Sequence, residues 1–202
     1  MQQRELVKQS PIRSSYLTHS AHFGRVFAVE STLELDYLNL LRFEKTAESV
    51  ASQPFSVRFH LAGRPRRYTP DFLVVEQGVE YVVEVKTRSA ANNPEFYQKA
   101  QKLSEFFKER GQIFRVLTED DIRLGHRAQN IRFLVPVLDT PAPLGEFQAL
   151  LNATEKRSAS MPELQSLLGV LDIDCSFIRR AVAHQLLQCD LTGPWVDLDF
   201  TW

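Results

Sequence analysis

Apolar positions recur at two different periods along this chain, and the switches between them sketch its elements. Leu33, Tyr37, Leu40 and Leu41 keep the three-to-four spacing of one helical face. A helix is expected from Glu30 to about Glu44, with Ser31 as N-cap and Glu34 three residues later completing a capping-box pattern. Gln53 to Leu61 and Arg66 to Val75 read as strands, with Ala62-Gly63-Arg64-Pro65 as the turn. Two further apolar runs, Phe72-Leu73-Val74-Val75 and Tyr81-Val82-Val83-Glu84-Val85-Lys86, flank Gln77-Gly78-Val79-Glu80 and predict a hairpin. Phe96, Ala100, Leu103, Phe106 and Phe107 form the apolar stripe of a helix from Glu95 to Arg110, ended by Gly111. Phe114-Arg115-Val116-Leu117 is another strand, and Thr118 is placed to cap a short helix, Glu119 to Leu124. Ile131 to Leu138 fits a strand or a helix, and the polar residues 1–25, with Ser10-Pro11 and Ser14-Ser15, are expected to be extended.

The pattern changes after Asp139-Thr140-Pro141-Ala142-Pro143, which marks a border between residues 1–143 and 144–202. Beyond it lie three short helical stretches, Leu144 to Ala153, Met161 to Leu168 and Cys175 to Leu187. Val196-Asp197-Leu198-Asp199-Phe200 then alternates like a strand. Three helices and a terminal β element suggest a winged-helix module.

The two apolar runs of the hairpin carry acids where acids are costly. Asp71 follows Pro70 at the mouth of the first run, and Glu84 interrupts the valines of the second. Side chains alternate along a strand, so Glu84 and Lys86 share a face with Val82, while Val83 and Val85 take the other. A lone carboxylate among valines is unfavourable unless it is paired or bound to metal. Asp71, Glu84 and Lys86 in this order resemble the PD-(D/E)xK signature of metal-dependent DNA nucleases. Two carboxylates suit Mg2+, with Mn2+ as a substitute, because magnesium keeps several waters and also takes phosphate oxygens. The lysine can steady an attacking water or the phosphate charge.

Composition narrows the class without choosing within it. The chain has 202 residues, 44 % hydrophobic and 24 % charged, as expected of one or two globular domains. There is no run of eighteen apolar residues and no apolar signal core near Met1, so a cytoplasmic protein without a membrane span is expected. Cys175 and Cys189 lack metal-site spacing and are expected to be reduced, buried thiols. The histidines are scattered, so no histidine nuclease motif competes. Net charge is −1, but residues 1–143 hold 20 Lys+Arg against 17 Asp+Glu and residues 144–202 hold 4 against 8. Much of the basic excess falls on Arg58, Arg64, Arg66 and Arg67, just before Asp71. Such a cluster serves phosphate contacts, or keeps a hairpin edge charged against aggregation.

An ordered series of segments from Val29 to Ser89 resembles the TnsA family, the endonuclease subunits of heteromeric cut-and-paste transposases. The segments are Glu30-Ser31-Thr32-Leu33-Glu34, Gln53-Pro54, Tyr68-Thr69-Pro70-Asp71-Phe72 and Glu84-Val85-Lys86. The similarity continues through Tyr97-Gln98-Lys99-Ala100, Phe114 to Ile122 and Asn130 to Leu134. It implies an α/β, restriction-endonuclease-like fold, a central mixed sheet flanked by helices, here followed by the small winged-helix-like domain. It further implies a bacterial enzyme that nicks one strand of double-stranded DNA at transposon ends, while an integrase-like transposase subunit cuts the other. An AAA+ ATPase regulator is the implied second partner. By resemblance Asp71 and Glu84 fall on the metal-binding acids and Lys86 on the catalytic lysine. The first helix of this fold carries a further acid, for which Glu34 matches better than Glu30. Gln98 and Lys99, like Arg64, Arg66 and Arg67, are candidate phosphate contacts. A solitary restriction, repair or phage nuclease, and an idle DNA-binding or recruitment module, are the alternatives.

Overall fold

The computed structural model of the protein describes residues 16–202. The expectation for residues 1–15 therefore lies outside the described residues. The rest of that stretch is a hairpin rather than a single extended segment. Strands β1 (Tyr16–Ser20) and β2 (Arg25–Val29) pair antiparallel, with Tyr16 opposite Val29 and Ser20 opposite Arg25. The chain divides into two compact units, Met1–Ile122 and Arg123–Trp202.

In the first unit, helix α1 (Thr32–Glu44) starts at Ser31, whose side-chain oxygen accepts the Glu34 N–H. Strand β3 (Ser49–Ser52) follows, then β4 (Val57–Leu61), β5 (Arg64–Tyr68), β6 (Phe72–Glu76) and β7 (Val79–Val85). A short helix α2 (Arg88–Ala91), the long helix α3 (Pro94–Lys108), strand β8 (Ile113–Leu117) and the turn of helix α4 (Glu119–Ile122) complete it. The central sheet has the order β3-β6-β7-β8. The first two pairings are antiparallel and β7 runs parallel to β8. That mixed sheet with flanking helices agrees with the expected nuclease-like α/β class.

Strands β4 and β5 stand apart as a two-stranded sheet. The segment expected as one strand from Arg66 to Val75 is thus broken at Thr69-Pro70-Asp71. Proline has no N–H to give to a ladder, which makes it a natural break. The turn is shorter than expected, only Ala62 and Gly63, both with positive φ (50° and 72°). Gln77 and Gly78 turn β6 into β7 with the same signs, 51° and 73°. Both are two-residue connections of the kind whose twist matches the paired strands.

Each face of the sheet has its own cover. Val82 and its cross-strand neighbours Leu73 and Phe114 lie under Leu103 and Phe107 of α3 and under Phe59 and Tyr68 of the β4–β5 ribbon. Phe107 stacks on Phe114 at 6.0 Å, and Leu103 and Phe107 are fully buried. Each contributes about 1.5–3 kcal/mol of burial. On the opposite face Tyr37 of α1 meets Phe72 edge-on at 5.4 Å. Helix α3 begins one residue earlier than the periodicity suggested, because the Asn93 side chain caps Glu95 and Phe96 N–H groups and Pro94 occupies the first turn.

The second unit opens with helix α5 (Arg127–Leu134) and a 3-10 turn, Val135–Val137, which settles the strand-or-helix ambiguity of that region as helical. Helix α6 (Leu144–Ala153) has the expected bounds. Strand β9 (Ser158–Ser160), helix α7 (Met161–Val170) and helix α8 (Ser176–Ala183) follow. The expected terminal strand is a 3-10 turn, Trp195–Asp197, and then strand β10 (Asp199–Thr201), which pairs antiparallel with β9. Leu150, Leu164, Leu168, Phe177, Ala181 and Phe200 form its buried interior. The Asn130 side chain donates to the Leu191 and Gly193 carbonyls at 2.8 Å, which ties α5 to the late loop. The proline-bearing stretch 139–143 accordingly falls inside this unit. Both cysteines are free, but Cys175 is exposed and Cys189 half-buried, so the expectation of two buried thiols fails for the first. Among the described residues no helix is long and apolar enough to cross a membrane.

Candidate nuclease site

The β6–β7 register builds the site. Phe72 pairs with Val83, so the next step of the ladder sets Asp71 across from Glu84 with both side chains on the α3 side of the sheet. The Val85 N–H donates to Asp71 Oδ2 at 2.7 Å. The Lys86 N–H continues the ladder to the Leu117 carbonyl, and its ammonium lies 2.9 Å from Glu84 Oε1 and 3.8 Å from Asp71 Oδ2. The three residues expected to converge do so.

Two residues to which the sequence reading gave no role in the site hold this cluster. The Tyr68 hydroxyl, buried, donates to Glu84 Oε2 at 2.7 Å. Gln53, at φ 43°, donates its N–H to the Asp71 carbonyl and its side-chain amide to Glu30 Oε1 at 2.8 Å. The alternation along β5 places Tyr68 inward, which is the signal that could have found it. Lys99 of α3 lies 3.8 Å from Glu84 Oε1 and 4.7 Å over the Tyr68 ring, so it belongs to the cluster as much as to the phosphate path expected for it.

Of the two roles considered for Glu34, the contacts of its side chain are those of the helix start. Its carboxylate accepts the Glu30 N–H and the Ser31 hydroxyl, each at 2.8 Å, which is the capping arrangement. Its charge also reaches the cluster and raises the pKa of both Asp71 and Lys86. Burial, followed by the charge of Glu84, pushes Asp71 up to about 7; the Lys86 ammonium and the Val85 N–H act the other way. For Lys86 burial acts downward, but Asp71 and Glu84 outweigh it and hold the ammonium above its ordinary value. Burial and the Glu84 carboxylate raise the Tyr68 hydroxyl well above the usual range, so it stays a donor.

An open cleft of about 530 Å³ runs from this cluster along the ribbon and α3. Arg66, Arg67, Lys86 and Lys99 line it, with Phe59 and Phe96 as apolar wall and Glu95 as one acid. Arg64 and Gln98 are exposed and do not line it. Among the described residues no group of three or more His, Cys, Asp or Glu stands close enough to hold a metal ion. Asp71 and Glu84 alone still suit a hard cation, since magnesium is commonly held by one or two carboxylates with water and phosphate oxygens. The raised Asp71 pKa comes first from burial and then from the Glu84 charge, and a bound cation would oppose both.

No curated protein matches the chain. Residues 44–119 match the family described as "TnsA-like endonuclease N terminal", a stretch that runs from the end of α1 to the start of α4 and contains Asp71, Glu84, Lys86 and Lys99. The stretch similar to that family thus covers the central sheet and the acidic cluster of the first unit.

Proposed function

We propose that the protein is a magnesium-dependent DNA endonuclease that nicks one strand at transposon ends as a subunit of a heteromeric transposase. One observation carries this reading: Asp71, Glu84 and Lys86 converge within hydrogen-bonding and ion-pairing distance inside the family's domain. Asp71 and Glu84 would hold the cation, with Glu34 assisting directly or through water from the start of α1. Magnesium, or manganese in its place, supplies charge neutralisation and an acidified water when bound.

The chain's own groups divide the remaining work. Lys86, freed from Glu84, orients the water or meets the charge growing on the phosphate. Tyr68 keeps Glu84 Oε2 engaged, so Oε1 is the oxygen offered to the cleft. Arg66, Arg67 and Lys99 line the path of the DNA backbone. The cut on the second strand would come from an integrase-like transposase, and an AAA+ ATPase would activate the assembly in the bacterial cytoplasm. The second unit, read as winged-helix-like, serves in this proposal as the protein-contacting module.

The test is nicking of a labelled transposon-end duplex in magnesium with the partner transposase present. Asp71→Ala should lose nicking by at least two orders of magnitude while its circular dichroism stays native. Equal cleavage by wild type and Asp71→Ala would remove the assignment.

A further inference from the structure

The β4–β5 ribbon carries charge that the proposed chemistry does not use. Between Glu48 and Asp71 the chain has four arginines and no acid. Arg58 and Arg67 are directly opposed in the ladder, as are Phe59 and Arg66. Like charges set opposite each other destabilise a strand pair, and opposed residues have Cβ atoms roughly 5 Å apart. Yet Arg58, Arg64 and Arg66 meet no acidic side chain among the described residues, and Arg67 has only a hydrogen bond to Ser56 at 3.1 Å. Exposed arginines in such an arrangement suit a counter-charge beyond the described residues.

Geometry limits what that counter-charge can be. One face of the ribbon packs Val57, Phe59 and Tyr68 against α3, with Phe59 and Arg66 at its edge lining the cleft already described. The opposite face presents Arg58, His60 and Arg67, all exposed, and the tip adds Arg64. With one face buried, only the free face can meet DNA beyond that cleft, and its side chains are arginines and a histidine suited to phosphates rather than a set of base-reading amides. Arg67 lines the cleft beside Lys86 and Lys99 and is paired with Arg58 on the outer face, so the two surfaces are continuous. We infer that the outer face of the β4–β5 ribbon is a second, sequence-independent docking track for duplex DNA, which extends the cleft through Arg67 to Arg58. This rests on the DNA-cleaving reading above and adds to it the place where the flanking duplex lies.

The experiment measures binding of the full chain to a labelled duplex of arbitrary sequence, without metal, over a series of salt concentrations. Each phosphate that a side chain no longer neutralises makes the slope of log affinity against log salt shallower by about 0.9. Arg58→Gln with Arg67→Gln should lower the slope by about 2, and Arg58→Lys with Arg67→Lys should restore most of it. Lys108→Gln with Arg110→Gln removes the same charge from the far end of α3 and should leave the slope as in wild type. An unchanged slope in the ribbon variant, an equal drop in the α3 control, or no duplex binding by the full chain would each overturn the inference. Nicking abolished in Asp71→Ala together with an unchanged ribbon slope would leave the nuclease reading standing and this one fallen.

Discussion

Individual side chains in the cluster are coupled, so single substitutions should report on their neighbours. Asp71 takes up its proton at about 7 in the fold against an ordinary value of 3.8. The folded state then binds more protons than the unfolded one between those values, so stability falls as pH rises through that window. Without metal, Asp71→Asn should be more stable than wild type at pH values above about 7 and lose this part of the pH dependence. Magnesium should raise the melting temperature of wild type and not of the variant. A wild-type melting curve flat from acid to neutral pH, shared by the variant, would contradict the raised pKa that burial and the Glu84 charge give Asp71. Tyr68→Phe removes the donor to a buried carboxylate, a loss of about 1.5–3 kcal/mol. It should also raise several-fold the magnesium concentration needed for half-maximal nicking, because Glu84 is no longer held. A change in melting temperature with unchanged magnesium dependence would make Tyr68 a packing residue only.

At the scale of elements, the start of α1 decides between two acids. Glu34→Gln keeps one acceptor oxygen for the Glu30 N–H and can donate from its amide to the Ser31 hydroxyl, so the helix should persist while the charge near Asp71 disappears. Nicking should fall strongly in Glu34→Gln and little in Glu30→Gln, whose side chain serves Gln53; the reverse order would transfer the role to Glu30. Much of this was legible beforehand. Helices α1, α3 and α6, strand β8 and the β6–β7 hairpin follow from local periodicity and caps, and Asp71, Glu84 and Lys86 follow from hairpin alternation. What was not legible depends on distant partners. The β1–β2 hairpin exposes Leu17 and Val26 while Thr18 faces inward, so its alternation is weak. The ribbon carries arginines on both faces, which hid its split from β6. Tyr68 reaches Glu84 sixteen residues away, and only the fold brings them together.

For the whole molecule, the division at residue 122 redistributes charge. The first unit holds 17 Lys+Arg against 16 Asp+Glu and the second 7 against 9, a milder contrast than a border at 143 suggests. The protein-contacting role proposed for the second unit therefore draws more on the contacts of its arginines than on net charge. Arg179 donates to the Phe133 carbonyl at 2.7 Å and covers that ring, and Arg180 pairs with Glu146 at 2.7 Å. Both are occupied within the unit. The full chain with Arg179→Gln and Arg180→Gln should keep its salt-dependent duplex binding and lose about 1 kcal/mol or less from the exposed pair. A shallower slope would instead make α8 a DNA-contacting helix.

The two-residue turn at Gln77–Gly78 has a consequence for how such a domain can vary. Antiparallel partners are matched by counting outward from the turn, Glu76 to Val79 and Phe72 to Val83. Substitution at the turn alters letters and leaves that count intact, provided the new residues accept positive φ. A single inserted residue, absorbed by a slip of the ladder, would set a valine across from Asp71 and rotate Glu84 to the far side of the sheet. Length in this loop is therefore under tighter constraint than spelling, and an indel there could silence the enzyme while the sheet still forms.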